Sequence, residues 1–315
     1  MIEHTFDIII PTVGRDVPFL PKVVRYLRKN IVGAKNIYIL TVPKYESQIR
    51  KLNDFDCYFV DENKLVEGVQ FKRVKKLLEK YHYQSKTGWY LQQFLKLGFA
   101  LSKYAGDYYL SWDSDTLPLH SISFFDGEHP LFTPKREYNP SYFTTTKALF
   151  GLDKIVEYSF IAEHMLFKTE IVKKLINEIN NSNVEGDDWL EKILNAGDYT
   201  MEYAPFSEFE TYGTYCMSRY PELYKIRPLC TFRSAGYIRG RRISDRLIAD
   251  MALDLDIASF EIYHGPMFPY NLTAIYYKSK QRYFKYRKKP IKEVLLVVWK
   301  RMFGNNEISN DLIQK

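Results

Sequence analysis

The sequence predicts an α/β protein whose mostly parallel central sheet is flanked by helices. Short, strongly apolar runs at residues 6–12, 36–43 and 57–61 are typical of strands that are buried on both faces. Segments with helical spacing of apolar residues alternate with such runs, most clearly over residues 88–104. Strands that alternate with helices form parallel sheets, which bind ligands at the carboxyl ends of their strands.

The remaining elements follow in chain order. Pro11 stops the first strand, and a helix is predicted from Pro18 or Pro21 through Lys29. The helix of residues 88–104 ends near Gly106, and the next strand follows at once. That strand covers residues 108–112, later strands are predicted at 130–133, 158–161 and 260–263, and later helices at 169–180 and 187–195. The 315 residues contain no repeat or low-complexity linker, which favours one continuous α/β domain.

Positive charge is concentrated in a C-terminal tail. Residues 278–301 contain ten basic side chains and one acidic one, so this segment carries a charge of +9. Because the net charge of the whole chain is +7, the remaining residues sum to −2. A net acidic body without a recognised nucleic-acid motif argues against a nucleic-acid partner. Over residues 278–303 the tail mixes aromatic and basic residues and is too short to span a bilayer. It either docks at an anionic membrane surface or packs on the body as a helix.

Cysteine usage and the absence of targeting segments predict the compartment. Cys57, Cys216 and Cys230 are odd in number and lack metal-type spacing, which fits a reducing environment. The N-terminus has no secretory signal pattern, and no run is long enough for a membrane span. We therefore expect a cytoplasmic protein, peripheral at the inner face of the plasma membrane if the tail docks there.

Asp113-Ser114-Asp115 follows the predicted strand of residues 108–112 and carries the most chemistry. Its carboxylates are spaced i, i+2 and therefore share one side of an extended segment. Two hard oxygen ligands suit Mg²⁺ or Mn²⁺ that holds a diphosphate. The alternative is an ordinary Asp-rich turn after a strand.

Five segments together carry a family resemblance. They are residues 8–12, 88–96, 113–115, 159–164 and 206–213. With them the chain resembles glycosyltransferases of the GT-A fold over residues 5–265, and the last two segments resemble bacterial enzymes of capsule and lipopolysaccharide synthesis. The resemblance implies a catalytic domain at residues 1–270, with residues 271–315 as a basic aromatic helical extension. It also implies a nucleotide-sugar donor, most often a UDP-sugar, and a glycan or lipid-linked glycan acceptor.

The resemblance also implies how the donor is held. Asp115 would bind Mn²⁺ or Mg²⁺ directly, Asp113 would reach the ribose or the cation through water, and His264 is the expected third ligand. The cation would offset the charge that builds on the departing diphosphate. Gln92 and Lys96 are expected to bind the donor, because they share one helix face that points toward the strand of residues 108–112, which precedes Asp113. The other expected donor contacts are Pro11 and Thr12 at the base, Arg15 at a phosphate and Asp61 at uracil or ribose.

The general base is expected at the start of a later helix. Ser207 and Glu210 have the spacing of a capping box, which leaves Glu208 unexplained. Inverting members of the resembled family place an acidic base there, so Glu208 is the first candidate and Glu210 the second. Glu163 and His164 are expected at the donor sugar or acceptor. A retaining mechanism stays open.

Three other functions compete with glycosyl transfer. A nucleotidyltransferase or phosphotransferase would use the same acidic pair, although no Gly-rich phosphate loop follows the first strand. A nucleic-acid-binding protein would use the basic tail. A degenerate binding module would retain the fold without turnover, but the intact Asp113 and Asp115 disfavour it.

Overall fold

The computed structural model describes residues 4–201 and 203–269 and, beyond these, the single residues 271, 272, 276, 279, 280 and 293. Apart from those single positions, the predicted extension at residues 271–315 and its basic tail lie outside the described residues. Across the described part of the chain, no helix is long and apolar enough to cross a membrane.

Strands and helices alternate through the first half of the described chain, as predicted. The strands are β1 (Phe6–Pro11), β2 (Ala34–Thr41), β3 (Cys57–Asp61), β4 (Tyr108–Trp112), β5 (Thr116–Pro118), β6 (Phe125–Asp126), β7 (His129–Phe132), β8 (His164–Lys168), β9 (Lys225–Ile226), β10 (Thr231–Phe232) and β11 (Ile257–Ser259). The α-helices are α1 (Leu20–Asn30), α2 (Glu46–Ile49), α3 (Phe71–Glu79), α4 (Thr87–Gly98), α5 (Pro140–Phe150), α6 (Thr169–Asn180), α7 (Trp189–Ala196), α8 (Glu208–Arg219), α9 (Gly236–Arg239) and α10 (Asp245–Met251).

The central sheet has the strand order β3-β2-β1-β4-β8. The first four strands are parallel, and β8 pairs antiparallel with β4. Two three-stranded sheets, β10-β11-β5 and β6-β7-β9, lie outside it. The predicted α/β fold with a mostly parallel central sheet is therefore confirmed, and Asp113 and Asp115 do follow its fourth strand.

The apolar runs form strands because both faces of the sheet are covered. Every residue of β1 is buried. Ile9 belongs to one apolar cluster, with Phe94 of α4, whereas Ile8 and Ile10 belong to another, with Val23 of α1. Successive side chains of a strand point to opposite faces, so a strand between two helical layers is apolar throughout.

Three predicted elements are wrong or shifted. Residues 158–161 form only an isolated bridge, between Ser159 and Lys135, because the next N–H, that of Phe160, donates to the buried carboxylate of Glu210; the strand begins at His164. The late strand β11 covers Ile257–Ser259, whereas residues 260–263 lie beyond it. The predicted helix over residues 88–104 ends at Gly98, and one turn of 3-10 helix follows it.

Candidate active site

A polar cleft of about 900 Å³ lies at the carboxyl edge of the parallel strands. The segments that follow β1 and β4 line it, together with residues of α4 from Gly88 to Lys96 and the start of α8. A smaller pocket of about 380 Å³ adjoins it at the ends of β1, β2 and β3, and the two share Pro11, Gly14, Tyr45 and Gln92. This is the sheet edge at which α/β proteins bind their ligands.

The structure brings most of the predicted site residues together. Those that line the cleft are Pro11, Arg15, Gln92, Lys96, Asp113, Asp115 and Glu208. Thr12 lines the adjoining pocket. Asp61, Glu163, His164, Glu210 and His264 line neither.

Backbone contacts hold the acidic pair at the floor of the cleft. The N–H of Asp113 donates to the carbonyl of Glu163 (3.0 Å), and the carbonyl of Asp115 accepts from the N–H of Phe260 (2.8 Å). The side chains of Asp113 and Asp115 are 37% and 21% exposed. Burial, followed by the negative charges of Asp113 and Asp16, raises the pKa of Asp115 to about 7.

Lys96 joins two carboxylates of the cleft. Its ammonium lies 3.2 Å from Asp113 Oδ1, 2.9 Å from Glu208 Oε1 and 4.2 Å from the centre of the Phe209 ring. Burial alone would lower the pKa of Lys96, but Asp113 and Glu208 outweigh it and raise that pKa above its ordinary value. Lys96 is thus a buried cation that two carboxylates of the protein already engage.

Glu208 is the first residue of α8 and lies at the wall of the cleft. The side chain of Ser207 caps the helix by accepting from the N–H of Glu210 (3.3 Å). The N–H of Glu208 donates to Gln93 Oε1 (3.1 Å). Gln93 also lines the cleft, and its amide nitrogen is buried without a hydrogen-bond partner among the described residues. The side chain of Gln93 therefore fixes the start of α8, and with it the backbone of Glu208, at the wall of the cleft.

A second ion pair at the acidic motif involves Arg241, which follows α9. Its guanidinium lies 2.6 Å from Asp16 Oδ1 and 3.5 Å from Asp115 Oδ2. Its Nε donates to the carbonyl of Phe260 (2.6 Å). Neither Asp16 nor Arg241 was predicted from the sequence. No spacing rule relates residue 241 to residue 115, and only the packing of the late segment against the β1 loop brings them together.

Glu210, the second candidate base, is misassigned. It is fully buried, and its carboxylate accepts from Lys154 Nζ (2.8 Å), Ser159 Oγ (3.0 Å) and the N–H of Phe160 (2.9 Å). These three donors satisfy the carboxylate in the core. The capping box is half formed, because Ser207 caps the helix while the Glu210 side chain turns to Lys154.

Glu163 and His164 lie in the core, contrary to the prediction. Glu163 is 2% exposed and pairs with Lys135 Nζ (3.1 Å) and Arg233 Nε (3.5 Å). His164 Nε2 lies 2.9 Å from Thr133 Oγ1, and burial, assisted by nearby Arg227 and Lys135, lowers the pKa of this imidazole well below its ordinary value. His164 is therefore neutral. Glu163 contributes to the cleft only indirectly, by holding Arg233, which does line it.

Asp61 and His264 also differ from their predicted roles. Asp61 caps a turn by accepting from the N–H of Asn63 (3.1 Å), and the following residues, Glu62 and Asn63, line the smaller pocket instead. His264 stacks on Tyr237 with ring centres 4.0 Å apart. Among the described residues, no group of three or more His, Cys, Asp or Glu side chains is arranged to hold a metal. His264 is thus not joined to Asp113 and Asp115.

The cleft also contains residues that were not predicted. They are Asp16, Tyr45, Lys86, Trp89, Gln93, Glu137, Tyr142, Arg233, Glu261 and Tyr263, among others. Trp89 is 36% exposed, and a partly exposed tryptophan in a polar cleft is suited to stack on a flat or sugar ligand. Its place in the motif Gly88-Trp89-Tyr90 was visible in the sequence, but the apolar spacing assigned it to a helix core.

Fold and cleft together define an α/β protein with a polar ligand site at the carboxyl edge of its sheet. The chain belongs to DUF6492, a family of unknown function, whose model matches residues 29–231. No curated protein matches it in sequence. Among solved structures, the apo form of mouse xyloside xylosyltransferase 1 is similar, with 12% identity, a TM-score of 0.40, and coverage of 84% of this chain and 99% of that one. The apo form of glycosyltransferase GlyE of Streptococcus pneumoniae TIGR4 is also similar, with 11% identity and a TM-score of 0.39. That match covers 82% of this chain and 55% of the GlyE chain.

Proposed function

We propose that this protein is a glycosyltransferase that moves a sugar from a nucleotide-sugar donor, a UDP-sugar by preference, to a glycan or lipid-linked glycan. One observation carries the proposal. The cleft holds the acidic pair Asp113 and Asp115 and, linked to Asp113 through Lys96, a third carboxylate, Glu208, that is suited to accept a proton. We place this reaction in bacterial surface polysaccharide synthesis, on the sequence resemblance.

The smaller pocket is suited to the nucleobase. Val42, Phe71 and Leu91 supply apolar surface, and Glu62 and Asn63 supply polar groups at its edge. A uracil ring has an imide N–H between two carbonyls, which a carboxyl and an amide side by side can read. Glu62 takes the place that the sequence assigned to Asp61.

The acidic pair fits a divalent cation. Mg²⁺ and Mn²⁺ use one or two carboxylates and complete their shell with water and substrate phosphates, so a third protein ligand is unnecessary. Asp113 and Asp115 would hold the cation. When bound, it supplies Lewis-acid stabilisation of the charge on the leaving diphosphate.

Glu208 would act as general base. Its carboxylate accepts the proton of the acceptor hydroxyl while that oxygen forms a bond to the anomeric carbon. The bond from that carbon to the diphosphate breaks, and the nucleoside diphosphate leaves with the electron pair. Attack opposite the leaving group inverts the anomeric configuration. Lys96 Nζ, 2.9 Å from Glu208 Oε1, would hold this carboxylate in place during the reaction.

The acceptor side would adjoin Trp89 and Tyr142, which line the cleft with Glu208. A lipid-linked acceptor fits a protein that docks at an anionic membrane surface through residues 278–303. In support, Met267 and Phe268, near the end of the second long described range, are each more than half exposed. Exposed apolar side chains next to a basic aromatic segment favour an interfacial site.

A thermal-shift screen of UDP-, GDP-, CDP- and ADP-sugars, with and without Mn²⁺, tests the donor proposal. We expect the melting temperature to rise most with a UDP-sugar plus Mn²⁺, because a ligand of the folded state stabilises it by mass action. Asp115→Asn should lose the Mn²⁺-dependent part of the rise. The proposed function fails if no nucleotide-sugar raises the melting temperature under either condition.

Glu208→Gln separates donor binding from transfer. We expect this variant to retain binding of the Mn²⁺–UDP complex in calorimetry and to lose roughly 10²-fold or more of transfer, as removal of a general base does. Glu170→Gln is a matched control, because Glu170 lies on α6 with its carboxylate exposed and paired to Lys174. Transfer by Glu208→Gln at the wild-type rate would refute the base assignment.

A further inference from the structure

Both carboxylates of the acidic motif are ion-paired in the protein itself. Asp113 contacts the buried ammonium of Lys96 at 3.2 Å, and Asp115 contacts the guanidinium of Arg241 at 3.5 Å. A divalent cation at this pair would therefore meet two positive charges of the protein. Like charges in a partly buried site repel more strongly than they do in water.

Arg241 cannot easily turn away from the motif. Its Nε donates to the carbonyl of Phe260 at 2.6 Å, one terminal nitrogen lies 2.6 Å from Asp16 Oδ1 and 3.4 Å from the carbonyl of Arg15, and the side chain is 16% exposed. The contact with Asp115 is the longest of the four. The guanidinium is thus held mainly by groups other than Asp115, and it would stay beside a cation that binds there.

We propose that Arg241 is a positioning residue that keeps the affinity of Asp113 and Asp115 for a free divalent cation low and makes cation binding conditional on a nucleoside diphosphate. This inference rests on the proposed function. A diphosphate brings negative charges that offset both the cation and the guanidinium, so the two ligands together avoid the repulsion that the cation alone meets. Their affinities are therefore coupled, and the coupling is reciprocal.

The test is a titration of the full chain with Mn²⁺, followed by the loss of the electron paramagnetic resonance signal of free Mn²⁺, with and without UDP. Mn²⁺–UDP solutions without protein give the baseline. We expect wild type to bind Mn²⁺ weakly alone and at least about tenfold more tightly with UDP. In Arg241→Gln, Mn²⁺ alone should bind at least about tenfold more tightly than in wild type, and the effect of UDP should shrink.

Two further variants separate charge from folding. Arg241→Lys loses the hydrogen bond to the Phe260 carbonyl but keeps a positive charge that can pair with the Asp16 carboxylate, so it should retain weak binding of Mn²⁺ alone. Arg25→Gln is the matched control, because Arg25 pairs with Asp245 at 2.7 Å on the exposed side of α1 and should leave every affinity unchanged.

The outcomes distinguish this inference from the function on which it rests. Unchanged or weaker binding of Mn²⁺ alone by Arg241→Gln overturns the role of Arg241, and so does equal behaviour of Arg241→Lys and Arg241→Gln. Wild-type binding of Mn²⁺ alone that is as tight as binding with UDP overturns the coupling. If wild type binds neither UDP nor Mn²⁺ together with UDP, the proposed function itself is overturned.

Discussion

At the scale of single residues, the cleft is a balance of charges more than a set of isolated ligands. The ammonium of Lys96 contacts both Asp113 and Glu208, so a change of charge at one carboxylate alters the electrostatic environment of the other. Replacing Lys96 would leave the buried carboxylate of Glu208 without this partner, which is costlier than the loss of one exposed contact. Mutations of these residues should therefore be interpreted as changes to a network.

The pKa of Glu62 predicts that the stability of the fold depends on pH. Burial, with a smaller effect of Asp61, raises the pKa of Glu62 from 4.5 to about 7. The folded protein therefore keeps a proton that the unfolded chain has released, and the contribution of Glu62 to stability, which is greatest below pH 4.5, falls as the pH rises to 7. Glu62→Gln should be more stable than wild type at pH 8 by on the order of 1 kcal/mol, after allowance for solvent screening.

Urea unfolding of both proteins at pH 5 and pH 8 measures this difference. The gap between Glu62→Gln and wild type should shrink at pH 5, where folded wild type is protonated as well. A gap of the same size at both pH values would show that Glu62 is ionised throughout. Glu62 also lines the smaller pocket, which is proposed to bind the nucleobase. Glu62→Gln should therefore lower the affinity for UDP, because it replaces the carboxylate that accepts from the imide N–H of uracil with an amide.

At the scale of elements, the first turn of α8 carries one carboxylate that lines the cleft and another that is buried in the core. Its first residue, Glu208, lines the cleft, and Glu210, two residues later, fixes the helix to the segment at Ser159 and Phe160. Residues two apart on a helix do not share a face, so the same turn serves the cleft and the core.

Glu210→Gln should destabilise the fold and spare the cleft. It leaves the buried ammonium of Lys154 without its carboxylate, and broken buried pairs cost roughly 3–5 kcal/mol. Chemical denaturation should show this loss, whereas the affinity for Mn²⁺–UDP should be unchanged at a temperature where the variant is folded. The control is Asp153→Asn, whose exposed pair with Lys147 should contribute under about 1 kcal/mol. A Glu210→Gln protein with normal stability but no transfer would restore Glu210 as a catalytic candidate.

Local sequence patterns predicted the central strands and several helices, because burial on both faces makes strands such as β1 apolar throughout. They placed Asp113, Asp115, Glu208 and Lys96 correctly in one cleft. They failed at Glu163 and His164, where a polar pair after an apolar run suggested an accessible site but is buried with Lys135 and Thr133 as partners. Such partners are distant in sequence, and only tertiary packing reveals them.

At the scale of the whole molecule, charge is separated along the chain. The basic tail offsets a body whose net charge is −2, and that separation supports docking at an anionic surface. Neutralising Lys285, Arg287, Lys288 and Lys289 to Gln in the full chain should release the protein from vesicles that contain phosphatidylserine. Each charge near the surface contributes about 1 kcal/mol.

Vesicle sedimentation measures the effect, with phosphatidylcholine vesicles as the uncharged control. Binding of wild type should weaken as salt is added, since the attraction is screened over roughly 10 Å at 0.1 M ionic strength. Equal sedimentation of wild type and the neutralised variant would refute docking through the tail and leave packing on the body as its role.

The pairing of β1 with β4 has a consequence for how the molecule is made. Asp7 of β1 lies opposite Tyr109 of β4, so one edge of β1 is unpaired until the ribosome has added the residues between them. One edge of β4 is likewise unpaired until β8 has been synthesised. Pairing that is distant in sequence slows folding, and open strand edges invite association between nascent chains. The yield of soluble protein during expression should therefore depend on the rate of translation and on chaperones that shield the unfinished sheet.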